Sequence, residues 1–296
     1  MKTIRTLVKD IYGLFGSGHK ATPEDVKELA EAMAVHVNNA LATREPRGTL
    51  RASIIGTKCK RKLWFDVNRP ETAEALEPWT KLKFLYGNLL EEIILFLAKE
   101  AGHDVQKRQA EVKVNGVKGH IDGIIDGVLC DVKSASGYGM AKFREHRLEH
   151  DDPFGYKDQI TFYNKALQDE LTIKGEGAFL AVDKSNGQLV LDSYPITEYD
   201  RKKLVEKVDQ SIDLVNSDDL PDRGFSDLPD GSSGNRRLCM ECSYCPYKEQ
   251  CWSGLRKFIY STGPRWLTRV GKEPNVPEDT NWNSPRTSDG TGKDLQ

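Results

Sequence analysis

The stretch between residues 110 and 135 constrains this chain most. Residues 110–117 read AEVKVNGV, an alternation of apolar and polar side chains that closes on Asn115-Gly116. Alternation with period two places one set of side chains on a buried face, and Asn-Gly supplies the positive φ of a tight hairpin. KGHIDGII follows, then a turn signal at Asp126-Gly127, then VLCDVKSAS. A meander of three short strands is expected. Helical patterns flank it. One covers 23–43, opening on Thr22-Pro23-Glu24-Asp25 with Val26, Leu29, Met33 and Val37 in register. Another runs from Pro78 to Ala101 with Leu82, Leu85, Leu89, Ile93 and Leu97 on one side, and Gly102 ends it. Downstream, a helix over 158–171 precedes the strands GAFLAVDK and QLVLDSYPI, joined at Ser185-Asn186-Gly187, and a charged helix over 197–216. This order gives an α/β domain built on a mixed sheet.

Inside the meander, Asp131 and Lys133 stand two apart on one strand and so share a face. Asp122, on the adjoining hairpin strand, can reach the same face. Converging carboxylates repel unless a cation lies between them, and Mg²⁺ or Mn²⁺ takes such oxygen ligands. A neighbouring lysine can orient water or offset charge on a phosphate. On the preceding helix Gly87 and Glu91 are one turn apart, the glycine allowing close approach and the glutamate aiming at the same centre. Glu92 beside it leaves a one-residue ambiguity. On the following helix Gln159 and Tyr163 share a face at i, i+4.

The ordered set Gly87…Glu91, Gly119-His120-Ile121-Asp122, Asp131-Val132-Lys133 and Gln159…Tyr163 resembles the RecB-like branch of the PD-(D/E)XK nucleases. That branch includes nuclease domains of AddAB-type enzymes, CRISPR spacer-acquisition exonucleases and many phage exonucleases. The motifs cover about residues 50–200. The branch often has histidine where Glu91 stands; the glutamate form resembles the lambda-exonuclease-like members. The resemblance implies a restriction-endonuclease-like core: a central mixed sheet flanked by helices. It also implies a divalent ion held by Glu91, Asp122, Asp131 and the Val132 carbonyl, with Lys133, Gln159 and Tyr163 completing the catalytic set.

The cysteines form a second pattern. Cys242-x2-Cys245-x5-Cys251 lies late in the chain, and Cys59 lies far upstream in SIIGTKCKRKLWF. This resembles the 4Fe–4S staple of AddB-type and CRISPR-associated relatives, and four thiolates suit such a cluster. Cys239 keeps an alternative open, a local zinc site of Cys239, Cys242, Cys245 and Cys251. Cys130, next to Asp131, should face the other way as a small core residue. Lys58, Lys60, Arg61, Lys62, Arg236 and Arg237 frame the cysteines and form a candidate rim for DNA phosphates. Trp64 and Phe65 read more simply as core than as base-stacking groups. His146 and His150, with Asp151 and Asp152, have metal-ligand spacing but sit in FREHRLEHDD, a charged stretch expected to be mobile or DNA-facing. His120 reads as structural.

Net charge is -2 over 296 residues, so any DNA surface must be a local patch. No apolar run approaches the ~20 residues that span a bilayer. The first fifteen residues, broken by Lys9 and Asp10, read as an amphipathic helix rather than a signal peptide. A cytoplasmic protein without a membrane partner is expected, in a compartment where disulfides are rare and six cysteines need another use. The expected layout is a helical region (1–48), the nuclease core (49–216), a linker (217–235), a Cys-rich element (236–262, with Cys59) and a partly disordered tail (263–296). The function read from this is a Mg²⁺- or Mn²⁺-dependent DNA exonuclease in phage DNA processing, recombination or repair, with DNA and recombination or replication proteins as partners. The alternative is a DNA-end-binding assembly subunit with a subordinate site.

Overall fold

The chain is described from a computed structural model over residues 2–42, 46, 48–135, 137–172 and 175–280, and it divides into two units. The larger holds residues 1–71 and 75–221; the smaller holds 72–74 and 222–296.

In the larger unit α1 (Leu7–Leu14), α2 (Pro23–Leu41), α3 (Ala52–Ile55), α4 (Lys60–Asn68) and α5 (Pro78–Glu100) lead into the sheet. The strands are β1 (Val105–Gln106), β2 (Glu111–Val114), β3 (Val117–His120), β4 (Gly123–Ile125) and β5 (Val128–Ala135). Then come α6 (Tyr138–Arg144), α7 (Tyr156–Ala166), β6 (Glu176–Asp183), β7 (Leu189–Pro195) and α8 (Glu198–Asn216). The central sheet is mixed, in the order β1-β4-β5-β6-β7, with only β5 and β6 parallel among its pairs. Parallel neighbours need a crossover, and α6 and α7 provide it.

Period-two alternation on β5 sends Leu129 into one core, with α3, α7, α8 and the hairpin, and Val128, Cys130 and Val132 into the other, with α1 and α5. Cys130 therefore faces away from Asp131, as its position on the strand implies. Two short elements had no periodic signal: α6 and the single turn Arg147–Glu149. The second, and the last two residues of the first, fall in the stretch expected to be mobile, yet Phe143 and Leu148 are buried in the core, as is Met140. His146 stacks on Tyr194 and pairs with Asp192 at 2.6 Å, so its ring is held structurally. Trp64 and Phe65 are buried, and the Trp64 indole donates to the Ser217 carbonyl at 2.8 Å.

The expected three-strand meander is a correction. β2 and β3 form a separate two-stranded sheet, and KGHIDGII breaks at Ile121-Asp122 before β4 begins. A second correction concerns α5. Its buried residues are Glu92, Ile94, Leu95 and Ala98, while Leu82, expected to face the core, is 47 % exposed.

The smaller unit carries β8 (Leu228–Pro229), β9 (Arg236–Arg237), α9 (Met240–Ser243), α10 (Lys248–Cys251), β10 (Arg256–Tyr260) and β11 (Gly263–Arg269). Its antiparallel sheet runs β10-β11-β9-β8. The segment expected as a linker thus supplies a strand, and the expected Cys-rich element ends in the strand β10. Phe258 is buried at the centre of its hairpin, paired with Arg265. The expected tail begins with β11; its part beyond residue 280 lies outside the described residues.

Candidate active site

β4 is only three residues long, and its first residue, Gly123, lies opposite Cys130. Past that point β5 has no strand partner on this side, so its next free amide needs an acceptor. Asp122 provides one: its Oδ2 accepts from the Val132 amide at 2.7 Å. Asp122 therefore reaches the site from the break between β3 and β4 rather than from a strand. The same opening lets α5, on the other side of the sheet, come close to β5. A Cβ on Gly87 would meet the Ser134 hydroxyl at 3.3 Å, so glycine keeps this crossing tight.

α5 settles the ambiguity between its two glutamates. Glu92 is buried, pairs with His36 at 3.0 Å and forms an ion pair with Arg108. Glu91 turns instead toward Asp131, with its Oε1 accepting from the Gln109 side chain. Arg108 and Gln109 reach these partners from a bend in which Lys107 and Gln109 both adopt positive φ, near 53° and 54°. Such backbone is rare outside glycine and is held only where surroundings demand it. No pattern in the sequence marks Gln109 for this place.

Asp131 is 1 % exposed; its Oδ2 is paired with the Lys133 ammonium, and no donor reaches its Oδ1. Burial pushes the Glu91 carboxyl up to about 7, with Asp131 and Glu92 adding to the push and Lys133 opposing it. Asp122 is likewise raised well above the ordinary carboxylate range, first by burial and then by Asp131 and Glu91. Burial works against the Lys133 charge, but Asp131 and Asp122 outweigh it and hold the ammonium protonated.

From α7, Gln159 donates its amide to the Tyr163 hydroxyl at 3.0 Å, and burial pushes that phenol up to about 12. Gly119 on β3 admits the Tyr163 ring, since a Cβ there would come within 2.7 Å of it. Tyr156, absent from the sequence expectations, places its ring 5.0 Å from the Lys133 ammonium. A cation over a ring face is a favourable contact that also fixes where the lysine points.

These side chains share one electrostatic field without forming a closed ligand shell: among the described residues no group of three or more His, Cys, Asp or Glu is gathered to hold an ion. The buried Asp131 Oδ1 without a donor and the raised carboxyls of Glu91 and Asp122 nevertheless fit a divalent cation. Its charge would satisfy the first and relieve the second.

The expected basic rim divides. Lys58 and Lys60 are exposed, and Lys58 lines a cleft of about 270 Å³ with His150, Lys157 and Lys207. Lys62 pairs with Asp66 at 2.6 Å and Arg61 donates to the Pro221 carbonyl. In the smaller unit Arg236 pairs with Asp227 at 2.6 Å and Arg237 with Asp230 at 3.4 Å. These four charges thus have local partners. Cys59 caps α4, its sulfur accepting from the Lys62 amide at 3.4 Å, and Cys242 has Cys239 as a hydrogen-bonded neighbour.

No family model matches this chain, and no curated protein is similar to it. Among solved structures it resembles SSO0001 at 15% identity and a TM-score of 0.39, over 75% of this chain and 95% of that one. It resembles the alkaline exonuclease LHK-Exo from Laribacter hongkongensis at 13% identity and a TM-score of 0.40, over 57% and 89% of the two chains. LHK-Exo in complex with dAMP matches at 14% and 0.39, over 63% and 92%. No helix among the described residues is long and apolar enough to cross a membrane.

Proposed function

We propose that the chain is a metal-dependent deoxyribonuclease on a restriction-endonuclease-like core, working as an exonuclease. One observation carries this. Burial and the nearby Asp131 charge raise the Glu91 and Asp122 carboxyls beside one protonated lysine, and the buried Asp131 Oδ1 has no donor. Such an arrangement is costly in an empty fold and useful around Mg²⁺ or Mn²⁺ on a phosphodiester.

Glu91, Asp122, Asp131 and the Val132 carbonyl would hold the ion. When bound it would supply Lewis acidity toward a phosphate oxygen and lower the pKa of water. The chain's own residues do the rest. Lys133 sits against Asp131 and over the Tyr156 ring, placed to orient a water and to offset charge gathering on the phosphate. The Gln159–Tyr163 pair keeps a neutral phenol donor beside them, suited to a phosphate oxygen. Val132 donates its amide to Asp122, which fixes that carboxylate's orientation.

The test is cleavage of end-labelled single- and double-stranded DNA by the purified chain with Mn²⁺. Asp122→Ala, Asp131→Ala and Lys133→Ala should each reduce the rate by at least about a hundredfold, the scale of losing a charge-stabilising group, with the fold retained. Wild-type rates in Lys133→Ala would reject this mechanism. Uncut circular substrate beside digested linear substrate would mark the activity as exonucleolytic.

For the thiols we propose a metal site of Cys242, Cys245 and Cys251, completed either by Cys59 around a 4Fe–4S cluster or by Cys239, which touches Cys242, around zinc.

A further inference from the structure

Among the described residues, the first half of α5 contributes no side chain to either core. All four of its buried residues lie at Glu92 or beyond, and Gly87 meets β5 at Ser134, next to that strand's end at Ala135. Helix α2 does not cover it either. Asp25 and Glu28 pair with Lys99, and His36 with Glu92, so the two helices run antiparallel and α2 ends at Leu41, near the level of Gly87. Residues 78–86 therefore project past both the sheet and α2.

This projection is strongly apolar and aromatic. Trp79 is 62 % exposed, Phe84 58 % and Tyr86 50 %. No acidic residue occurs from Pro78 to Leu90, while Lys81 and Lys83 are exposed and, among the described residues, have no hydrogen-bond or ion-pair partner. Phe84, Gly87 and Glu91 recur at i, i+3 and i+7, so Phe84 lies two turns before Glu91 on the same helix face, about 10 Å along the axis at ~1.5 Å per residue. Trp79, Lys83 and Tyr86 recur at i, i+4 and i+7 on the adjacent face.

We propose that this projecting half-helix is a base-stacking platform for single-stranded DNA, with Phe84 stacking a base and Lys81 and Lys83 contacting phosphates. Exposed rings interleaved with free cations are the chemistry that holds unpaired strands: flat faces take any base, and the basic groups follow the backbone. A protein partner fits less well, because interface cores are depleted in lysine. The spacing also agrees. At ~3.4 Å per stacked nucleotide, Phe84 lies about three nucleotides from Glu91. The inference rests on the nuclease reading, which makes Glu91 part of the cleavage centre. It adds that the substrate reaches that centre as an unpaired strand.

Binding of labelled oligo(dT) to the full chain in EDTA tests it without any cutting. Phe84→Ala should weaken binding roughly 5- to 150-fold, the worth of one stacked base. Phe84→Trp should keep wild-type affinity, and Phe84→Leu, apolar but not flat, should behave like alanine. Replacing Lys81 and Lys83 together by alanine should lower the salt-dependence slope by about 1.4, at ~0.7 per phosphate contact on a single strand. Wild-type affinity in Phe84→Leu, or in Phe84→Ala, overturns the platform. So does loss of self-association in Phe84→Ala with oligo(dT) affinity unchanged, which would make the surface a contact between copies of this chain. Cleavage of duplex by the wild type with Mn²⁺ is scored separately. A chain that cuts but binds oligo(dT) independently of Phe84 keeps the proposed function and loses the platform; one that binds through Phe84 and never cuts does the reverse.

Discussion

Glu91 shows what a functional arrangement costs a fold at the scale of one residue. Its carboxyl is pushed from the ordinary 4.5 to about 7, chiefly by burial and then by Asp131. The folded chain therefore holds this proton more tightly than the unfolded chain does. That contribution to stability is complete below about pH 4.5 and is lost as pH rises through about 7. Screened by solvent, a shift of this size converts to about 2 kcal/mol. In metal-free buffer at about pH 8, Glu91→Gln should be more stable than wild type by about that amount, since glutamine keeps the acceptor for Gln109 without the charge. Below about pH 4 the two should melt alike, and added Mn²⁺ should restore the wild type selectively. Equal melting of the two at both pH values would show that Glu91 is not under this repulsion.

At the scale of elements, α5 separates what periodicity can tell from what it cannot. The sequence LLEEIILFLAKE is apolar around most of the helix, so several stripes fit a period of 3.6 equally well. The stripe through Leu82 was the natural reading, yet the packed one runs through Ile94, Leu95 and Ala98. It includes a charged position, Glu92, because His36 and Arg108 neutralise it there. Leu95→Ala should cost about 2–5 kcal/mol in denaturant unfolding, and Leu82→Ala should stay within about 0.5 kcal/mol. Comparable losses at both positions would mean that the projecting half is packed. The starts of two helices, by contrast, were readable from local chemistry: Thr22 and Pro23 open α2, and Thr197 with Asp200 makes a capping box at α8, whereas the helix expected over 158–171 runs from Tyr156 to Ala166.

At the scale of the whole molecule the cysteines fall in different units, Cys59 in the larger and the other four candidate ligands in the smaller. A local zinc site would bind one part of the chain to itself and leave the larger unit's stability alone. Purified under reducing, oxygen-free conditions, the chain should then be colourless and lose its metal in Cys239→Ser but keep it in Cys59→Ser. A brown protein whose colour disappears in Cys59→Ser would mark the 4Fe–4S set instead.

By itself the sequence determined an α/β chain with a mixed sheet, two turns at Asn-Gly and Asp-Gly, and the sidedness of Asp131 against Cys130. These follow from interactions within a few residues, where turn chemistry and alternation act directly. The tertiary structure alone decided the rest. It began β4 only at Gly123, leaving Asp122 free to accept from the Val132 amide, turned Glu91 rather than Glu92 toward Asp131, set Gln109 and Tyr156 beside them, and gave Arg236 and Arg237 acidic partners. It also turned the expected linker and tail into strands of a second sheet. Each of these depends on which distant segment satisfies a buried amide, charge or apolar face, and such partners have no fixed spacing along the chain.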